Sequence, residues 1–130
     1  MDLIVRAVCT LRPGVPGLSH GIRVRSILGR FLEHARIYHF ANGGAGEYFI
    51  ASADWRKRNL RKRVEVAAPV LSPDGQARLR AILDAELADP RAWVLRGDGS
   101  FVRHAGEGPT AQELFLAGAG SSLSSDRTRP

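Results

Sequence analysis

Apolar and polar positions switch between two periods along this chain. The run "DLIVRAVC" is apolar and β-rich, broken only by Arg6. That pattern predicts a strand buried on both faces, as in an α/β sheet. A central strand ordinarily has partners before it, so a chain that begins with one is expected to be a fragment of a larger protein. "TLRPGVPGLSHG" (10–21) loses all periodicity, and Pro13, Gly14, Pro16 and Gly17 make it a loop. In "IRVRSILGRFLEH", Ile22 and Val24 alternate with Arg23 and Arg25. Ile27, Leu28, Phe31 and Leu32 then recur at spacings of one, three and four. The second half predicts a short amphipathic helix with Ser26 near its start.

"RIYHF" (36–40) and "EYFIASA" (47–53) are aromatic and β-branched runs joined by "ANGGAG", a hairpin signal. "DWRKRNLRKR" (54–63) is a charged connection with room for one helical turn, and "VEVAAPV" (64–70) is another strand. "SPDGQARLRAILDAELADP" (72–90) carries the clearest helix: Leu79, Ile82, Leu83 and Leu87 form one stripe, Ser72 caps the start and Pro90 closes the end. "AWVLRGDGSFVRH" (92–104) reads as two short strands around a Gly-Asp-Gly turn. "TAQELFLAG" could form a last half-helix, and the small, polar residues after it predict a disordered tail. The expected organisation is an α/β layered domain over 1–108, a mixed sheet flanked by helices, with a tail over 109–130.

Composition changes this picture little. A chain of 130 residues with 44% hydrophobic content can bury one core. The net charge is +6, from 19 Lys+Arg against 13 Asp+Glu, and only Lys57 and Lys62 are lysines. Arginine's planar fork suits paired phosphate oxygens, so a polyanionic partner fits; a high-GC genome accounts for the same bias. The single cysteine, Cys9, makes neither an intrachain disulfide nor a zinc site, and is expected to be buried and inert. No run reaches membrane-spanning length and no signal-peptide pattern opens the chain, so the default compartment is the cytoplasm.

Three places could carry chemistry. Arg6, charged among apolar neighbours, needs a carboxylate, a strand end or an anionic ligand. His34 can exchange a proton near neutral pH, and beside Arg36 it would suit a phosphoryl oxygen; it could equally be a histidine that complements a helix dipole. Ser52 and Asp54 stand at a predicted strand end, where sheet proteins place ligand-binding groups, with Arg58 and Asn59 one turn later; helix capping explains the same pair. "NGGAG" lacks the strand–GxGxxG–helix context and the Walker lysine, so turn chemistry accounts for it. "RKRNLRKR" has no interleaved aromatics beyond Trp55, which points to a solvated face or polyanion-lining edge rather than a specific nucleic-acid site.

Taken in order, "DLIVRAVCTLRPGVPGLSHGIRVRSILGRFLEHARIYHFANGG", "YFIASADWRKRNLRKRVEVAAPV" and "LADPRAWVLRGDGSFVR" closely resemble the carboxy-terminal domain of bacterial polyphosphate kinase of the first family. The resemblance covers about residues 2–104. It implies a phospholipase-D-like domain, one half of a tandem pair, in an enzyme that reversibly transfers the terminal phosphate of ATP to polyphosphate through a phosphohistidine. It also implies Mg²⁺, though it identifies no metal ligand in this chain, a basic polyphosphate tunnel, and peripheral inner-membrane association of the full-length complex. By the resemblance, His34 is the second-domain histidine that contacts nucleotide phosphates and assists proton transfer, and Arg6 binds ATP phosphate. Arg36, Ser52 and Asp54 are further candidate phosphate or polyphosphate contacts. Arg36 stands where phospholipase D would have the lysine of His-x-Lys, and Ala51 where the family usually has glycine.

The family's chains are several times longer, and the phosphate-accepting histidine belongs to a domain these residues do not include. The chain is therefore expected to be a half-site that needs the remaining domains or another copy. An inactive ATP- or polyphosphate-binding remnant is the alternative. A homodimeric phosphodiesterase with two copies of His34 meeting on a two-fold axis is a third reading. An open strand edge near residues 3–8 would make the isolated chain poorly soluble.

Overall fold

The computed structural model describes residues 1–125. The elements are β1 (Asp2–Val5), β2 (Arg23–Ser26), β3 (Ile37–Phe40), a 3-10 turn (Asn42–Gly44), β4 (Glu47–Ala51), α1 (Lys57–Lys62), β5 (Ala67–Pro69), α2 (Pro73–Leu87), β6 (Trp93–Leu95), β7 (Phe101–Arg103) and α3 (Ala111–Ser125). They fall into two compact units, residues 1–33 with the segment from 84 onward, and residues 34–83. The expected α/β composition is present, but as two sheets rather than one mixed sheet.

In the first unit the sheet order is β1-β2-β6-β7. β1 and β2 are parallel, with Leu3 opposite Val24 and Val5 opposite Ser26; the remaining pairs are antiparallel. The alternation in "RVRS" explains the core: Val24 and Ser26 point inward and are almost wholly buried. Ile27, Ala92, Leu95 and Ala111 complete the buried apolar set. The buried Ser26 hydroxyl is satisfied by donating to the Ala7 carbonyl at 2.8 Å.

β1 is not the doubly buried strand its composition suggests. It lies at a sheet edge, its apolar residues are half-buried, and it stops at Val5. Ala7 takes a positive φ of 70°, which turns the chain out of the strand just after Arg6. Cys9 is likewise only half-buried.

The amphipathic helix expected after Ser26 does not form. Residues 27–35 hold no regular element, and Leu28, Phe31 and Leu32 are exposed. The physical reason lies eighty residues away. Gln112 accepts the Phe31 N–H at 3.0 Å and donates to the Phe31 carbonyl at 2.7 Å. Both backbone groups that a helix would use are taken by one side chain.

In the second unit β3, β4 and β5 form an antiparallel sheet, with Tyr38 opposite Phe49 and Ile50 opposite Ala68. The predicted hairpin is present. Gly43 and Gly44 supply its positive φ angles of 64° and 108°. β5 occupies only the last part of the run expected as a strand. α2 matches its prediction, and Ser72 caps it by accepting the Gly75 N–H at 3.3 Å.

α3 runs through Ala111–Ser125, in the span where composition predicts a tail from 109; residues 126–130 of that expectation lie outside the described residues. Thr110 and Glu113 form a capping box. Glu113 N–H donates to the Thr110 hydroxyl at 3.3 Å, and Thr110 N–H to the Glu113 carboxylate at 2.7 Å. Asp89 accepts the Ala111 N–H at 2.9 Å. Among the described residues no helix is long and apolar enough to cross a membrane.

Glu86, near the end of α2, is only 6% exposed. Burial, reinforced by the Glu33 and Asp89 carboxylates, pushes its pKa up to about 7. Between the ordinary carboxylate range and about 7 the folded state holds a proton that the unfolded chain has released. Stability therefore falls as pH rises through that window. Glu86→Gln is expected to change stability little near pH ~4.5 and to raise it by about 1 kcal/mol near pH ~8. Urea denaturation at both pH values checks this; an equal effect at both would refute it.

Candidate functional site

Each unit holds part of the set of residues singled out from sequence. In the first, Arg6 follows the end of β1, where the turn at Ala7 begins. It is half-buried, and its guanidinium donates to the Glu33 carbonyl at 2.6 Å. A hydrogen bond from one guanidinium nitrogen restricts the orientation of the whole planar group. Glu33 is anchored in turn, because its carboxylate accepts from Gln112 at 2.6 Å.

In the second unit the geometry centres on Arg36, the residue before β3. Its guanidinium contacts the Asp54 carboxylate through Nε at 3.1 Å and through a terminal nitrogen at 2.9 Å. The other terminal nitrogen donates to the His34 carbonyl at 2.6 Å. Both Arg36 and Asp54 side chains are largely shielded, 22% and 28% exposed. The His34 residue itself is exposed. The hairpin register creates this group: Ala51 N–H donates to the Arg36 carbonyl at 2.9 Å, which sets the end of β4 beside the start of β3.

Ser52 belongs to a second group. Its N–H donates to the Val66 carbonyl and its hydroxyl accepts the Val66 N–H, both at 3.0 Å. The hydroxyl donates to Glu65 at 2.5 Å, and Asn59 from α1 donates to the other Glu65 oxygen at 2.8 Å. The Ser52 hydrogen bond, helped by Asn59 and by nearby Arg63 and Arg36, holds the Glu65 carboxyl below its usual range. The N-cap of α1 is Arg56, which makes no side-chain cap.

The structure thus joins His34, Arg36 and Asp54, and joins Ser52, Asn59 and Glu65. Arg6 falls in the other unit. Sequence reading missed Glu65 and Gln112. The polar residue inside Val64-Glu65-Val66 was the signal for the first, and the Thr-x-x-Glu capping box over 110–113 was the signal for the second. Among the described residues no group of three or more His, Cys, Asp or Glu could hold a metal ion.

A family model described as "Polyphosphate kinase C-terminal domain 2" matches residues 1–113. The polyphosphate kinase of Neisseria meningitidis serogroup C (strain 053442) is 53% identical over 117 residues, covering 88% of this chain and 17% of that protein. The polyphosphate kinase of Thermosynechococcus vestitus is 56% identical over 102 residues, covering 78% of this chain and 14% of that protein. The crystal structure of polyphosphate kinase from Porphyromonas gingivalis matches with a TM-score of 0.81 and 40% identity, over 93% of this chain and 20% of that one. The chain spans less than a quarter of the length of each of these relatives.

Ser52→Ala is expected to bring the Glu65 carboxyl up toward its ordinary value, because the largest cause of its depression is removed. Glu65 then contributes less to stability as pH falls through the carboxylate range. An NMR titration of the Glu65 side chain in both proteins reads this directly; an unmoved titration would refute the pairing.

Proposed function

Because the chain belongs to the polyphosphate kinase C-terminal domain family, we propose that it is a phosphate-binding half-site of a reversible ATP:polyphosphate phosphotransferase. The observation that carries this reading is the shielded Arg36 guanidinium, held between Asp54 and the His34 carbonyl. A cation fixed before substrate arrives stabilises developing charge with little reorganisation. Phosphoryl transfer needs mainly such positioning and electrostatics.

In this reading Arg6 of the first unit and Arg36 of the second are each phosphate contacts. His34 donates or accepts the proton as the bridging oxygen changes partner. Asp54, itself a carboxylate, orients Arg36, and Ser52 supplies a polar contact through its hydroxyl. Mg²⁺ would arrive with the nucleotide, whose phosphates supply most of its ligands in such sites. The phosphate-accepting histidine would come from a second phospholipase-D-like domain outside these residues. Alone, the chain then binds ATP and polyphosphate without turnover.

The exposed cations Lys57, Arg58, Arg61 and Lys62 of α1 extend the basic surface toward the polymer. Polyphosphate affinity is therefore expected to fall steeply and log-linearly with salt.

The test is ATP–polyphosphate exchange with Mg²⁺, using the chain alone and the chain supplied with the remaining domains, each with wild-type and His34→Ala protein. The expected result is salt-sensitive polyphosphate binding by the chain alone. Exchange should appear only in the supplemented reaction, and His34→Ala should lower it at least ~100-fold. Turnover by the chain alone would overturn the half-site reading. Phosphodiester hydrolysis by a dimer would favour the phosphodiesterase instead.

A further inference from the structure

Gln112 stands at the second position of α3, outside every group assigned a chemical role above. It is 7% exposed, and its amide is fully engaged. Its oxygen accepts the Phe31 N–H; its nitrogen donates to the Phe31 carbonyl and to the Glu33 carboxylate. Two residues of an otherwise irregular segment are thereby fixed, one by its backbone and one by its side chain. The carbonyl of that same Glu33 receives the Arg6 guanidinium at 2.6 Å.

The amide is itself held from both ends. The capping box at Thr110 and Glu113 and the Asp89 contact to Ala111 fix where α3 begins, and so where its second residue points. On the other side, a side chain added at Gly29 would run into the Gln112 amide. The amide would have to give up its present position to admit one. A surface-facing glutamine would need neither arrangement.

We propose that Gln112 is a positioning residue: through Glu33 it sets the orientation of the Arg6 guanidinium toward nucleotide phosphate. The inference rests on the reading of Arg6 as a phosphate ligand. It gives α3 a part in substrate binding although α3 itself contacts no phosphate. Its chemistry is specific. The position needs one acceptor and one donor in a planar amide, so glutamate, which keeps the acceptor and loses the donor, should fail. Glu33→Gln combined with Gln112→Glu reverses the side-chain pair and restores a donor between them.

The experiment titrates ATP with Mg²⁺ into wild-type chain, Arg6→Ala, Gln112→Met and the Arg6→Ala/Gln112→Met double variant, with thermal melting of each. Gln112→Met is expected to weaken ATP binding about tenfold. In the Arg6→Ala background it should weaken it no further, although the melting temperature falls by the same amount in both backgrounds. This split separates positioning from general stability. Gln112→Glu should weaken binding similarly, and Glu33→Gln/Gln112→Glu should recover part of it. Independent, additive effects of Gln112→Met and Arg6→Ala on ATP affinity would overturn the proposal, as would unchanged affinity in Gln112→Met. Arg6→Ala binding ATP as tightly as wild type, or wild type binding none, would instead overturn the underlying reading of Arg6, and the positioning role with it.

Discussion

A backbone that leaves a sheet without entering a helix must satisfy its polar groups in some other way. Residues 27–35 face that constraint, and the buried amide of Gln112 meets it at Phe31. Much of the first unit follows from this contact. α3 must start at a defined residue, which its capping box and Asp89 ensure. A side chain at Gly29 would displace the amide from this contact. Glu33 becomes a fixed point, and Arg6 is tied to it.

Arginine serves this architecture as much as it serves charge. Arg6 donates to the Glu33 carbonyl, Arg12 to Gly97, Arg25 to Leu87 and Arg36 to His34. Each of these carbonyls lies outside the strand ladders. The long fork reaches carbonyls outside the strand ladders and satisfies them. A composition bias that sequence alone could assign to genome or to polyanion therefore has a structural use as well.

The carboxylates divide in the same way. Asp54 and Glu65 each accept from neighbouring groups, and the carboxyl of Glu65 is held below its usual range by Ser52. Glu86 is pushed the opposite way by burial and by Glu33 and Asp89. The contrast between Glu65 and Glu86 follows from environment: a carboxylate that accepts several hydrogen bonds is stabilised as an anion, whereas a buried one beside other acids is not.

Short-range signals determined what the sequence could state by itself. The hairpin at 36–53, the helix at 72–90 and the turn near 96–100 follow from period, capping and turn residues within a few positions of each other. The ordered motifs around Arg6, His34 and "SADW" were enough to indicate the family. The tertiary structure decided what depended on distant partners. Among the described residues β1 pairs with β2 alone, so it is an edge strand where its composition suggests a central one. The apolar spacing of Ile27, Leu28, Phe31 and Leu32 did not make a helix, because Gln112 captured the backbone of Phe31. Local periodicity records which side chains could share a face. It cannot record that a side chain eighty residues later will compete for the same N–H and carbonyl.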